Sequence, residues 1–128
     1  MKKILFLTTI LALIITSCNH SSCELIGTWN VYDVKTDFDE KRTTPQMLEQ
    51  LVDIEKQNQL KFIDDSSLLI VTKDNVYEAI WKMDKNNVIY YHFKKDTTTH
   101  KLAVYQKPFI ITKSKTKIGT MTTTYEKE

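Results

Sequence analysis

The chain of 128 residues has two glycines, two prolines and two cysteines. Gly27 and Gly119 stand too far apart to build a Gly-x-Ser-x-Gly nucleophile elbow. No His-Glu-x-x-His zinc motif occurs either. The three histidines are scattered: His20 in a polar stretch, His92 on a strand and His100 in a loop. None has a nameable partner for base or ligand chemistry, so the sequence implies no enzymatic activity, no metal and no other cofactor. A long apolar run is missing as well. The one candidate, Ile4–Ile15, is shorter than the roughly twenty residues that carry a helix across a bilayer. Preceded by Lys2 and Lys3, it reads as the hydrophobic region of a signal peptide over residues 1–17. Nor is there an excess of one charge. Of 18 Lys+Arg, Lys2 and Lys3 leave with that peptide, and the 16 that remain match the 16 Asp+Glu. This balance excludes the broad basicity on which nucleic-acid binding rests. Removing 17 residues from 128 leaves 111, enough for one compact domain.

The apolar run ends in Ile15-Thr16-Ser17-Cys18, which resembles the lipobox of bacterial lipoproteins. The resemblance implies cleavage before Cys18, lipid on its sulfur, and a membrane as partner through that lipid. Asn19 comes next, with no acidic run, which implies the outer membrane, facing the periplasm or the cell surface. With Cys18 taken up as a thioether, Cys23 is expected to remain an unpaired thiol, and no internal disulfide forms. Residues 18–24 then make a lipidated polar tether, and 25–128 the domain.

The domain is rich in Thr, Val, Ile and aromatic residues, which fit a pleated surface. Strands are expected over Trp29–Thr36, Leu60–Ile63, Ser67–Thr72, Val76–Met83, Val88–Phe93, Lys101–Gln106, Phe109–Lys113 and Lys117–Tyr125. Turn residues separate them at Asp64–Ser66, Asp74-Asn75, Asp84–Asn87, Asp96–Thr99 and Ser114–Thr116, and Pro108 makes a further break. One segment departs from this pattern. Thr43-Thr44-Pro45-Gln46 offers a hydroxyl cap at Thr43 with a glutamine three residues on and a first-turn proline, and Met47, Leu48, Leu51, Val52 and Ile54 recur at helical spacing up to Gln57. The predicted fold is mainly β: a single antiparallel up-and-down β-barrel of about eight strands, with one helix after the first strand. Closure removes exposed sheet edges. An open two-sheet sandwich is the alternative.

Leu25-Ile26-Gly27-Thr28-Trp29, succeeded by a strand, a helix and a meander, resembles the lipocalin-like domains of bacterial lipoproteins, within the calycin superfamily. The resemblance implies that Gly27 and Trp29 are a structural signature, with the tryptophan packed across the closed end of the barrel. The C-terminal Thr124-Tyr125-Glu126-Lys127 is similar to intracellular fatty-acid-binding proteins, which carry an arginine two residues before the tyrosine; Thr123 stands there in this chain.

Tyr77, Ala79, Trp81 and Met83 share one face of their strand, and Ile89, Tyr91 and Phe93 alternate with Val88, Tyr90 and His92 on the next. A three-residue loop Lys85–Asn87 puts Trp81, Tyr91 and Phe93 inside together; a two-residue loop swaps the faces of the second strand. The expected register is the first. The helix is expected to cap the mouth with Leu48, Leu51 and Val52, near Trp81 and Tyr91. Leu51, Tyr77, Trp81, Tyr91 and Phe93 are thus candidate contacts for a small hydrophobic ligand. The same residues serve equally as core filling, which leaves a protein-interaction module with an unnamed partner as the alternative function. Asp64-Asp65 reads as turn chemistry. Lys113, Lys115 and Lys117 read as a lysine-guarded edge. An eight-stranded barrel is just filled by side chains or holds one small ligand.

Overall fold

The computed structural model describes residues 20–128, so the signal segment 1–17 and Cys18 lie outside the described residues. A short helix α1 (His20–Leu25) leads into β1 (Gly27–Phe38), α2 (Pro45–Glu55), β2 (Gln59–Phe62), β3 (Ser67–Val71) and β4 (Val76–Met83). Then come β5 (Val88–Phe93), β6 (His100–Gln106), β7 (Phe109–Thr116) and β8 (Gly119–Lys127). The eight strands form a closed barrel in sequence order, every neighbour antiparallel. Closure is made by β1 and β8, paired from Trp29↔Lys127 to Phe38↔Gly119 around a bulge at Val31/Asp33. That ladder removes the sandwich alternative.

Aspartates at loop entrances shape several connections. The Asp64 carboxylate accepts from the backbone N–H of Ser66 (2.9 Å) and Ser67 (2.7 Å), which hold its pKa below the ordinary value. The Asp84 carboxylate likewise accepts from the backbone N–H of Asn86 (2.9 Å) and Val88 (3.0 Å). The loop after it is the three-residue Lys85–Asn87, closed by Asn87 at φ 63°, and Met83 pairs with Ile89. A left-handed residue ending a three-residue hairpin is a favoured solution, and Asn tolerates that conformation. Trp81 consequently pairs with Tyr91 and Ala79 with Phe93, on the inner face as expected.

Four local expectations are corrected. The segment 19–24 has the composition of a polar tether, yet His20–Leu25 is helical and Leu25 is fully buried. Cys23 is disulfide-bonded, not an unpaired thiol. The last hairpin does not turn at Ser114–Thr116. Those residues continue β7, because Thr suits a strand, and the chain reverses at Lys117-Ile118 where Thr116 pairs with Gly119. Gly119 has φ 151°, and a Cβ there would lie 2.3 Å from the Asp37 carbonyl oxygen, so only glycine fits. Finally, the cap of α2 is Thr44, whose hydroxyl accepts from the Met47 N–H (3.2 Å), whereas the Thr43 hydroxyl donates to the Asp39 carbonyl (2.8 Å).

The core occupies the end of the barrel where β1 begins. Trp29, Leu60, Phe62, Leu68, Trp81 and Ile110 are buried there together, and Leu25 covers them from below. The Trp29 indole N–H donates to the Leu25 carbonyl (2.8 Å), and its ring meets Tyr105 edge-on at 6.1 Å. Phe62 and Trp81 are also edge-to-face, at 4.9 Å. Such pairs add to the apolar burial. This end is closed.

Candidate functional site

The opposite end of the barrel, the cup, is less completely buried than the closed end. Strand alternation carries the inner face upward from the core. Tyr77 lies two residues from buried Ala79 and pairs with Ile70, while Phe93 and Tyr91 continue above buried Ile89. On the other wall, Val34 pairs with Thr123, Thr36 with Met121 and Phe38 with Gly119. Most inward residues of the closed end are buried, yet here Val34, Phe38, Ile70, Tyr91, Phe93 and Met121 are only half-buried, and Tyr77 is 43 % exposed. The aromatic groups form a chain around one wall. Tyr77 and Phe93 are 6.1 Å apart, Phe93 and Tyr91 5.4 Å, and Tyr91 and His100 5.3 Å.

α2 lies against β1 at this mouth without filling it, since none of its residues is buried. Leu48, Val52 and Glu55 form its half-buried stripe, and Met47, Leu51 and Ile54 its exposed one. The spacing in both is that of one helix face. At the floor of the cup the polar groups are satisfied by each other. The hydroxyl of fully buried Thr123 donates to Glu55 Oε1 (2.8 Å), and Asn58 Nδ2 donates to Glu55 Oε2 (3.1 Å). Tyr125 sits beside them. Burial raises its pKa, the Glu55 charge adds to the rise, and side-chain hydrogen bonds from Asn58 and Thr112 oppose it.

The wall is split on one side. β6 and β7 pair only over Val104–Gln106 against Phe109–Ile111, then diverge. The resulting cleft, about 490 Å³, is lined by Leu102, Ala103, Val104 and Ile111 together with Lys101, Lys113 and Lys115.

The sequence-derived candidates are therefore divided. Tyr77, Tyr91 and Phe93 come together in the cup. Trp81 faces inward but belongs to the filled end, where its indole N–H donates to the Asp64 carbonyl (3.0 Å), so it is not near the helix. Leu51 is on the outward stripe of α2, 36 % exposed, because it sits on the solvent-side flank of the Leu48–Val52–Glu55 face. Gly27 and Trp29 lie at the closed end; Gly27 has φ 138°, with the Lys127 side chain against it. His92 pairs with Ile80 on the outer face. Among the described residues, no group of three His, Cys, Asp or Glu could hold a metal ion, and no helix is long and apolar enough to cross a membrane. Sequence pattern does not single out Glu55, Asn58 or Thr123. Nothing local marks one glutamate among 16 acidic residues as the one that enters a barrel.

No family model, no curated protein and no solved structure matches this chain.

Proposed function

We propose that the protein is a lipid-anchored envelope barrel that holds one small hydrophobic molecule in its cup. The observation that carries this reading is the set of inward aromatic residues, Tyr77, Tyr91 and Phe93, left half-exposed in a mouth that α2 does not fill. Exposed aromatic surface in a concave site is what a ligand of matching polarity covers. The barrel's dimensions limit that ligand to a small molecule. The test is a titration of the purified full-length mature protein with the uncharged fluorescent probe N-phenyl-1-naphthylamine. Saturable binding at one site per chain is expected, weakened at least tenfold by Tyr77→Asp with the circular dichroism unchanged. A parent protein that shows no saturable binding refutes the reading.

The anchor is part of the same proposal and rests on Ile15-Thr16-Ser17-Cys18. Two acyl chains at about 0.8 kcal/mol per buried methylene make release negligible. Intact mass of the protein from its membrane fraction should show the acylated Cys18. A mature mass lacking acyl groups would instead remove the anchor.

A second reading, a protein-interaction module, is favoured by the exposed stripe Met47, Leu51 and Ile54. It predicts a partner complex that dissociates in the double variant Leu51→Asp, Ile54→Asp while probe binding persists.

A further inference from the structure

We propose that the cup selects a ligand bearing a protonated amine on an apolar body, with the Glu55 carboxylate as its counter-charge and the aromatic wall as its bed. The inference rests on the cup being a ligand site and names the class of ligand.

It begins with where charge lies on the barrel. Lys35, Lys101, Lys113 and Lys115 all fall on outward positions and are exposed. The inward positions of the upper wall carry Val34, Thr36, Phe38, Ile70, Tyr77 and Phe93, and no lysine or arginine. Into this wall α2 brings one carboxylate, Glu55, from its half-buried stripe. The ion pairs among the described residues are Arg42–Asp39, Lys94–Glu78 and Lys107–Glu24, and none involves Glu55. Its two oxygens are held by neutral donors alone, the Thr123 hydroxyl and the Asn58 amide. A carboxylate has about four acceptor positions, so two hydrogen bonds leave it capacity for more. Partial removal from water without a counter-ion is unfavourable, and a ligand cation that adds charge-assisted hydrogen bonds relieves it.

The opposite wall favours the same chemistry. In a ring of eight strands β4, which carries Tyr77, stands across from β8, which carries Thr123. Phe93 and Tyr91 flank Tyr77 on the neighbouring strand, β5. The faces of aromatic rings attract cations and accept apolar groups. A short molecule lying across the cup meets the carboxylate at one end and the rings at the other. An anionic amphiphile meets repulsion from Glu55 in the same place.

The experiment is an NMR chemical-shift titration of the purified full-length mature protein at pH 8 with three indoles that share one ring system: tryptamine, tryptophol and indole-3-acetate. Tryptamine should bind at least tenfold more tightly than tryptophol, and indole-3-acetate least. Raising the salt concentration should narrow the first gap. Glu55→Gln keeps the side-chain size but removes the charge, and should bring tryptamine to the level of tryptophol. If that variant fails to fold, the tryptamine-to-tryptophol ratio in the parent decides alone. Equal binding of these two ligands, or saturable naphthylamine binding without tryptamine binding, overturns the amine inference and leaves the cup as a neutral site. Absence of saturation by the naphthylamine probe and by all three indoles overturns both.

Discussion

Trp29 joins the N-terminal segment to the barrel. Its ring fills the closed end beside Tyr105, and its N–H holds the Leu25 carbonyl. Trp29→Ala removes a large buried aromatic and leaves that carbonyl without its donor, which should cost roughly 3–5 kcal/mol. Urea denaturation monitored by circular dichroism measures the loss; a value below about 1 kcal/mol, typical of surface changes, would place the ring outside the core. Tyr125 yields a prediction of another kind. Burial first, and then the Glu55 charge, raise its pKa above the ordinary 10.0. The folded protein therefore keeps the phenol proton at pH values where the unfolded chain has lost it. Stability that is complete below pH 10 should fall as the pH rises beyond it. Tyr125→Phe should flatten that decline, read as the urea midpoint at pH 9 and pH 11. An equally steep decline in the variant would assign it to other groups.

Between residues and the whole fold lie α2 and the β7–β8 hairpin. α2 presents Leu48, Val52 and Glu55 to the barrel and Met47, Leu51 and Ile54 to solvent. Leu51→Asp should therefore leave the domain folded, with a loss below about 1 kcal/mol. Global unfolding of this variant by circular dichroism would mean that the stripe is covered. The hairpin behaves differently. Gly119 closes against the backbone of Asp37 and Phe38, where β8 meets the end of β1. Gly119→Ala forces that seam apart and should lower the melting temperature by several degrees, as a loss on the order of 1–3 kcal/mol does in a domain of this size. An unchanged melting temperature would show that the seam can relax.

At the scale of the molecule, the entering segment and the cup lie at opposite ends. α1 and Leu25 pack on the closed end, where Glu24 pairs with Lys107 (3.1 Å) and accepts from the Tyr105 hydroxyl (3.0 Å). If Cys18 carries lipid, only residues 19–24 separate the membrane from this end. At about 3.5 Å per extended residue they reach roughly 20 Å, less where helical. The barrel then stands closed end toward the bilayer, with its mouth and α2 facing away. In vesicles containing nitroxide lipids, a fluorophore at Gln106 should be quenched more than one at Asn75 in the β3–β4 turn. The reverse order would mean that the mouth faces the membrane.

Strand and helix were legible in the sequence because both are local. Alternation marked β4 and β5 to the residue, aspartates and asparagines marked the turns, and the helical spacing of apolar residues marked α2. The register of the β4–β5 hairpin came from making one face apolar, and Asn87 then had to take the left-handed conformation. The end of the β7 strand was not legible, since Thr and Ser serve in strands as readily as in turns, and Gly119 decided the matter through a contact with Asp37 far away in sequence. Closure likewise needed β1 to meet β8 across nearly the whole chain. The orientation of α2 is the decisive case. Its apolar residues spread over nearly half a turn, so either stripe could have faced inward. Only docking on β1 chose Leu48 and Val52 over Leu51, and that rotation carried Glu55 to Thr123. The sequence alone thus determined most of the strands, their inner face and helix α2, through interactions among near neighbours, but neither α1 nor the end of β7. The tertiary structure decided which end is filled, which is open and which charge stands inside, because each depends on residues that only the closed ring brings together.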